Sequence, residues 1–179
     1  MSDMTVPKVP AGAKTIAESR VRLSQFMHPD QANGQGNVHG GEIMKLVDEA
    51  GGLAAMRHAR SLVVTVVMDS MTFMEPVFVG NVLTLEAQLT YVGHTSMEVR
   101  VEVIAENALT GTHTTTNTAY VVYVAIDANG RPKPVPPLVA STDEERAEMQ
   151  AAIARQAYRT QQREREKQRK PDGQENHDD

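Results

Sequence analysis

The chain has 179 residues, a net charge of -5, no cysteine, no tryptophan and only three phenylalanines beside ten methionines. That length suits one domain of about 100–200 residues plus a tail, and the missing cysteines exclude disulfides and thiolate metal sites and fit a reducing compartment, expected here to be the cytoplasm. The acidic balance argues against nucleic acid as the main partner, no run approaches the roughly 18 apolar residues of a membrane span, and MSDMTVPKVPAGAK lacks the apolar stretch of a signal peptide. The core must then be mostly Val, Leu, Ile, Met and Ala; the methionines fill such a core and would also suit a pocket for flexible acyl chains.

Residues 1–14, with prolines and glycine, read as a loose arm. Residues 15–27 alternate apolar and charged positions and predict a strand. HPDQANGQG, residues 28–36, is turn-forming. A helix is predicted from about Gly40, because Ile43, Val47, Ala50, Gly51 and Ala54 recur at three and four. Gly51 and Gly52 cost about 1 kcal/mol each inside a helix, so another element should pack closely there. Period two then takes over in Leu62–Phe73, Leu83–Leu89, Met97–Val103 and Thr112–Ile126, with turns at 77–81, Gly93-His94, 108–111 and 127–130. Short turns imply antiparallel neighbours, and a sheet with one apolar face should bury it on the single long helix. Four prolines close this domain, residues 15–138. Residues 139–179 form a charged tail, partly helical or disordered: 143–170 suit a solvated helix with Ala147, Ile153 and Ala154 as its weak apolar contacts, and PDGQENHDD should be disordered.

One stretch carries chemistry. Gly36-Asn37-Val38-His39-Gly40-Gly41 is a glycine-rich turn feeding the helix, and Asp48 lies on that helix near its apolar face. A helix N-terminus presents free N–H groups and a positive dipole end, which suits an anion or an oxygen that becomes negative. Asp48 in a groove could serve as a general base; Glu49 is rotated by about 100° from it and ranks second. On spacing alone Asn37 reads first as a helix cap and Asp48 first as an edge carboxylate. The histidines form no metal spacing, no serine sits in a nucleophile elbow, and GNVHGG lacks the ending of a phosphate-binding loop.

HPDQANGQGNVHGGEIMKLVDEAGGLAAMRHA, VVTVVMDSMTFMEPVFVGN, HTSMEVRVEVIAENALTG and TNTAYVVYVAIDANGRPKPVPPL, in that order, resemble the hotdog-fold acyl-CoA thioesterases of the YciA and brain acyl-CoA hydrolase types, over roughly residues 15–138. The resemblance implies an α+β hotdog fold, a long central helix wrapped by an antiparallel sheet. It implies hydrolysis of acyl-CoA to free acid and coenzyme A, with coenzyme A as part of substrate and product and no other cofactor. It implies homodimers joined through edge strands, commonly as a trimer of dimers. It gives Asn37 and Asp48 the catalytic roles, one from each subunit, and His39, Gly40 and Gly41 the carbonyl oxygen. The turn of Gly93, His94, Thr95 and Ser96, with Arg57 and His58 near the helix end, is where coenzyme A would be held. Two other readings stay open: a hotdog enoyl-CoA hydratase or dehydratase, for which His39 is the one histidine beside the site, and a non-catalytic acyl-CoA-binding sensor.

Overall fold

A computed structural model describes residues 10–169; the expectations for most of the N-terminal arm and for PDGQENHDD lie outside that range. In chain order the elements are β1 (Lys14–Thr15), α1 (Ile16–Ser19), β2 (Val21–Phe26), a 3-10 turn (Pro29–Gln31), α2 (Gly40–Ala59), β3 (Leu62–Phe73), β4 (Asn81–Val92), β5 (Ser96–Asn107), β6 (Thr112–Ile126), β7 (Leu138–Val139) and α3 (Asp143–Arg169). Five strands form one antiparallel sheet in the order β2-β4-β5-β6-β3. The sheet wraps α2, which is the α+β hotdog architecture.

The apolar period of α2 buries Ile43, Leu46, Val47, Ala50, Ala54 and Ala55 against Leu83, Leu85, Val99, Val101 and Val121. Successive strand residues point to opposite faces. The odd-numbered residues Met97–Val103 of β5 therefore face α2, while Glu98 faces away from it, toward α3.

Three expectations are corrected. The predicted strand at 15–27 is interrupted by α1, because the Glu18 carboxylate accepts from Thr15 N–H (2.6 Å) and Oγ1 (2.9 Å) and closes a helical turn. The short link at 74–80 does not make β3 and β4 neighbours: β3 is an edge strand paired with β6, and β4 lies between β2 and β5. The link is instead captured by the glycine-rich segment, where Val38 N–H donates to Val77 O (2.8 Å) and Asn37 bridges Phe78. The tail also differs from a solvated helix. Ala147 and Ala154 are exposed and Ile153 is 47% exposed, whereas Ala152 and Arg159 are buried on the sheet.

Candidate active site

The residues before α2 fold on themselves. Asn33 Oδ1 accepts from Gln35 N–H (2.8 Å) and Asn37 N–H (3.2 Å), and Asn33 N–H donates to Asn37 O (2.6 Å). Both asparagines line a cleft of about 340 Å³ with Val38, Gly40, Ile43 and Phe73. Asn37 is not the cap of α2. His39 is: its Nδ1 accepts from Gly41 N–H at 3.0 Å. The Gly41 donor is therefore engaged, and among the described residues Gly40 N–H is the one left open at the helix start. The side of Gly40 faces Phe73, whose ring would lie 3.4 Å from an added Cβ.

Asp48 lies about two turns farther along α2 and faces β3 and β6 instead of this cleft. It is half-buried. Thr65 Oγ1 donates to its Oδ1 at 2.7 Å. The Tyr123 hydroxyl lies 3.1 Å from the Asp48 carbonyl oxygen and 3.3 Å from Oδ1. Tyr123 is 1% exposed. Burial, then the Asp48 charge and its hydrogen bond, push its phenol well above the ordinary range, so it remains a donor. No protein group among the described residues bonds Asp48 Oδ2. Gly51 explains how the ring fits: a Cβ there would collide with the Tyr123 hydroxyl. This is the close packing that the helix glycines predicted. Thr65 and Tyr123 were not singled out by sequence reasoning. Their only signals are a hydroxyl inside the apolar run LVVTVVM and an aromatic ring in VVYVAI.

Thus within one protomer Asn37 lines the cleft before α2, whereas Asp48 lies against Thr65 and Tyr123. The other proposed contacts lie at the far end of α2. His58 is fully buried, with Nδ1 2.9 Å from Ser19 Oγ and Nε2 2.8 Å from Pro136 O. It is therefore a packing residue, which corrects its expected place on a ligand-facing surface. Arg57 is exposed, and its guanidinium donates to Arg20 O. In the turn, Gly93 N–H donates to Ser96 O (2.8 Å), and Thr95 O accepts from Ala125 N–H (3.0 Å). Gly93 and His94 line a cleft of about 420 Å³ with Tyr91, Val135, Met149 and Ile153, so α3 supplies one wall. His94 O accepts from Val135 N–H (3.0 Å), next to the Pro136 carbonyl that meets His58.

A family model described as the thioesterase superfamily matches residues 35–112. The uncharacterized acyl-CoA thioester hydrolase of Bacillus subtilis is 38% identical over 128 residues, 72% of this chain and 74% of that one. The acyl-CoA hydrolase of Staphylococcus aureus, solved with butyryl coenzyme A, coenzyme A and coenzyme A disulfide, matches with a TM-score of 0.81 at 31% identity, over 87% of this chain and 95% of that one. It has also been solved with alanine in place of an aspartate, an asparagine and a threonine. An apo-hexameric acyl-CoA thioesterase matches with a TM-score of 0.81 at 38% identity, over 84% of this chain and 96% of that one. With its wrapped helix and its matches to acyl-CoA hydrolases on both sequence and structure, the chain belongs to the thioesterase superfamily, among the hotdog-fold acyl-CoA thioester hydrolases.

Proposed function

We propose that Asp48 is the general base of thioester hydrolysis. Water attacks the acyl carbonyl carbon while Asp48 Oδ2 takes its proton. The carbonyl oxygen becomes negative against the Gly40 N–H that a partner subunit brings at the positive end of its own α2. The C–S bond then breaks, coenzyme A leaves as the thiolate and takes up a proton, and the free acid departs. Coenzyme A enters only as part of substrate and product. A thioester is an activated acyl donor, so the site needs no strong nucleophile of its own; direct attack by Asp48 to form an anhydride is the second route. The observation that carries the reading is the carboxylate itself: half-buried, fixed at Oδ1 by Thr65 at 2.7 Å, with Oδ2 unpartnered among the described residues. His39 spends its Nδ1 on the helix cap, which disfavours the hydratase reading.

The amide that orients water or thioester comes, in this proposal, from a partner subunit. β3 supports that arrangement. It is an edge strand with Leu62 65%, Val64 44% and Val66 45% exposed, a surface that a second copy would cover. Two-fold pairing along β3 would set the 33–41 segment of one protomer toward Asp48 of the other, at two equivalent sites. Three such pairs would give a hexamer, the state named for one of the solved relatives. Asn37 is the proposed amide. Asn33 is a second reading, favoured by one observation: the positions changed to alanine in the S. aureus hydrolase, Asn then Asp then Thr, are spaced as Asn33, Asp48 and Thr65 are here. Coenzyme A is proposed to lie along Gly93, Thr95 and Ser96 with Arg57 nearby. The cytoplasm is the proposed compartment; no described helix is long and apolar enough to cross a membrane.

An acyl-CoA panel with thiol detection tests the assignment on wild type, Asp48→Ala, Asn37→Ala and Asn33→Ala. Loss of the base should lower the rate roughly 10²–10⁴-fold. Whichever asparagine variant falls with it is the amide. Wild-type turnover by Asp48→Ala would refute the assignment, and tight binding without thiol release by the wild type would favour the sensor reading.

A further inference from the structure

β3 leaves its ladder twice within six residues. Its register against β6 slips between Thr65 and Val67 and again between Met68 and Ser70. A bulge leaves a residue unpaired and bends the strand, so the ladder alone does not fix how the stretch is aimed. Within the protomer β3 also has a neighbour on one side only. Yet this stretch begins with Thr65, which faces Tyr123 across the ladder and bonds Asp48.

The second bulge is gripped from the opposite face of the sheet. Asp69, its extra residue, takes Arg159 Nη1 of α3 at 2.8 Å. The same guanidinium places Nη2 2.7 Å from Oε2 of Glu98, a fully buried carboxylate on β5. Glu98 Oε1 accepts from Thr90 Oγ1 (2.7 Å) and from Arg155 Nε and Nη2 (3.1 and 2.8 Å). Arg155 also stacks on Tyr120, 3.8 Å from the ring centre, and Tyr120 is the partner of Ser70 in the ladder. The two arginines of α3 therefore hold β5, β6 and the bulge of β3 together. Charge-assisted contacts from a planar guanidinium are directional, so they fix position as well as proximity.

We infer that Arg159, through Asp69, is a positioning residue for the reaction: it pins the twice-bulged stretch of β3 that aims the Thr65 hydroxyl at Asp48. The inference rests on Asp48 being the base. It gives the charged tail a part in turnover.

Steady-state kinetics on Asp69→Asn, Thr65→Val and the double variant test it. Asp69→Asn should lower kcat roughly three- to tenfold, the worth of one hydrogen bond, with KM nearly unchanged. The double variant should be no slower than Thr65→Val, because one contact cannot be lost twice. Asp69→Glu should restore most of kcat. Arg159→Lys, which keeps the charge and loses the two-pronged bridge between Asp69 and Glu98, should repeat the Asp69→Asn defect and serves if that variant does not fold. Multiplying effects in the double variant, or wild-type kcat in Asp69→Asn, would overturn the inference. If Asp48→Ala also turns over at the wild-type rate, the base assignment itself has failed and the inference falls with it.

Discussion

The two long helices lie on opposite faces of one sheet and are held by opposite means. α2 is buried through alanines, aliphatic side chains and two glycines that admit Tyr123. α3 is docked through Arg155 and Arg159 on the buried Glu98, with Ala152 as its one fully buried apolar side chain among the described residues. Non-directional burial tolerates sliding, whereas ion pairs in a dry interface specify one geometry. The price is fragility: a buried carboxylate is stable only while its cations stay. The inner face therefore supplies most of the stability, and the outer face supplies alignment.

Perturbing each face separately sharpens this contrast. Replacing both arginines, Arg155→Met with Arg159→Met, strands Glu98 and should cost about 3–5 kcal/mol, read as a lower urea midpoint and release of α3 to proteolysis. On the inner face, Gly51→Ala drives a methyl into the Tyr123 hydroxyl; overpacking of this kind costs about 1–3 kcal/mol, and here it should also lower turnover by displacing Tyr123 from Asp48. Acid should release the two regions in turn. Burial holds His58 below its ordinary value of 6.5. Its neutral form favours the folded state, so that contribution is present above about pH 6.5 and fades as pH falls below it. Burial alone would raise Glu98, but the bonds from Arg155, Thr90 and Arg159 outweigh it and hold the carboxyl below 4.5. That contribution is present above pH 4.5 and is lost as pH falls further. Melting curves from pH 8 to 3 should show the first decline absent in His58→Gln and the second absent in Glu98→Gln. The smallest effect is expected at the exposed Arg22–Glu86 pair, 3.4 Å apart, where Arg22→Ala should change stability by less than about 1 kcal/mol.

The same contrast explains what could be read from the sequence. α2 and β3 to β6 were legible because apolar period writes itself into residue order: β3 and β6 begin and end where the pattern does. The docking of α3 was not, because arginines and glutamates look alike on a solvated face and on a buried one, and only the fold brings Glu98 to them. α1 was missed because Thr15 and Glu18 close a turn inside an alternating pattern. The strand order escaped because the 74–80 link is held by Val38, far away in the chain. Of the site, Asp48 and the helix glycines stood out on their own helix. Thr65 and Tyr123 reach Asp48 only through the pairing of β3 with β6.

In the proposed mechanism each site is shared between two subunits. Co-expressing an amide-less chain, Asn33→Ala with Asn37→Ala, and an Asp48→Ala chain tests it most directly. Each variant alone should be nearly inactive. In a mixed two-fold pair one of the two sites regains both groups, so random mixing should restore about a quarter of wild-type thiol release. No recovery in verified mixed assemblies would place both groups in one subunit and contradict the account.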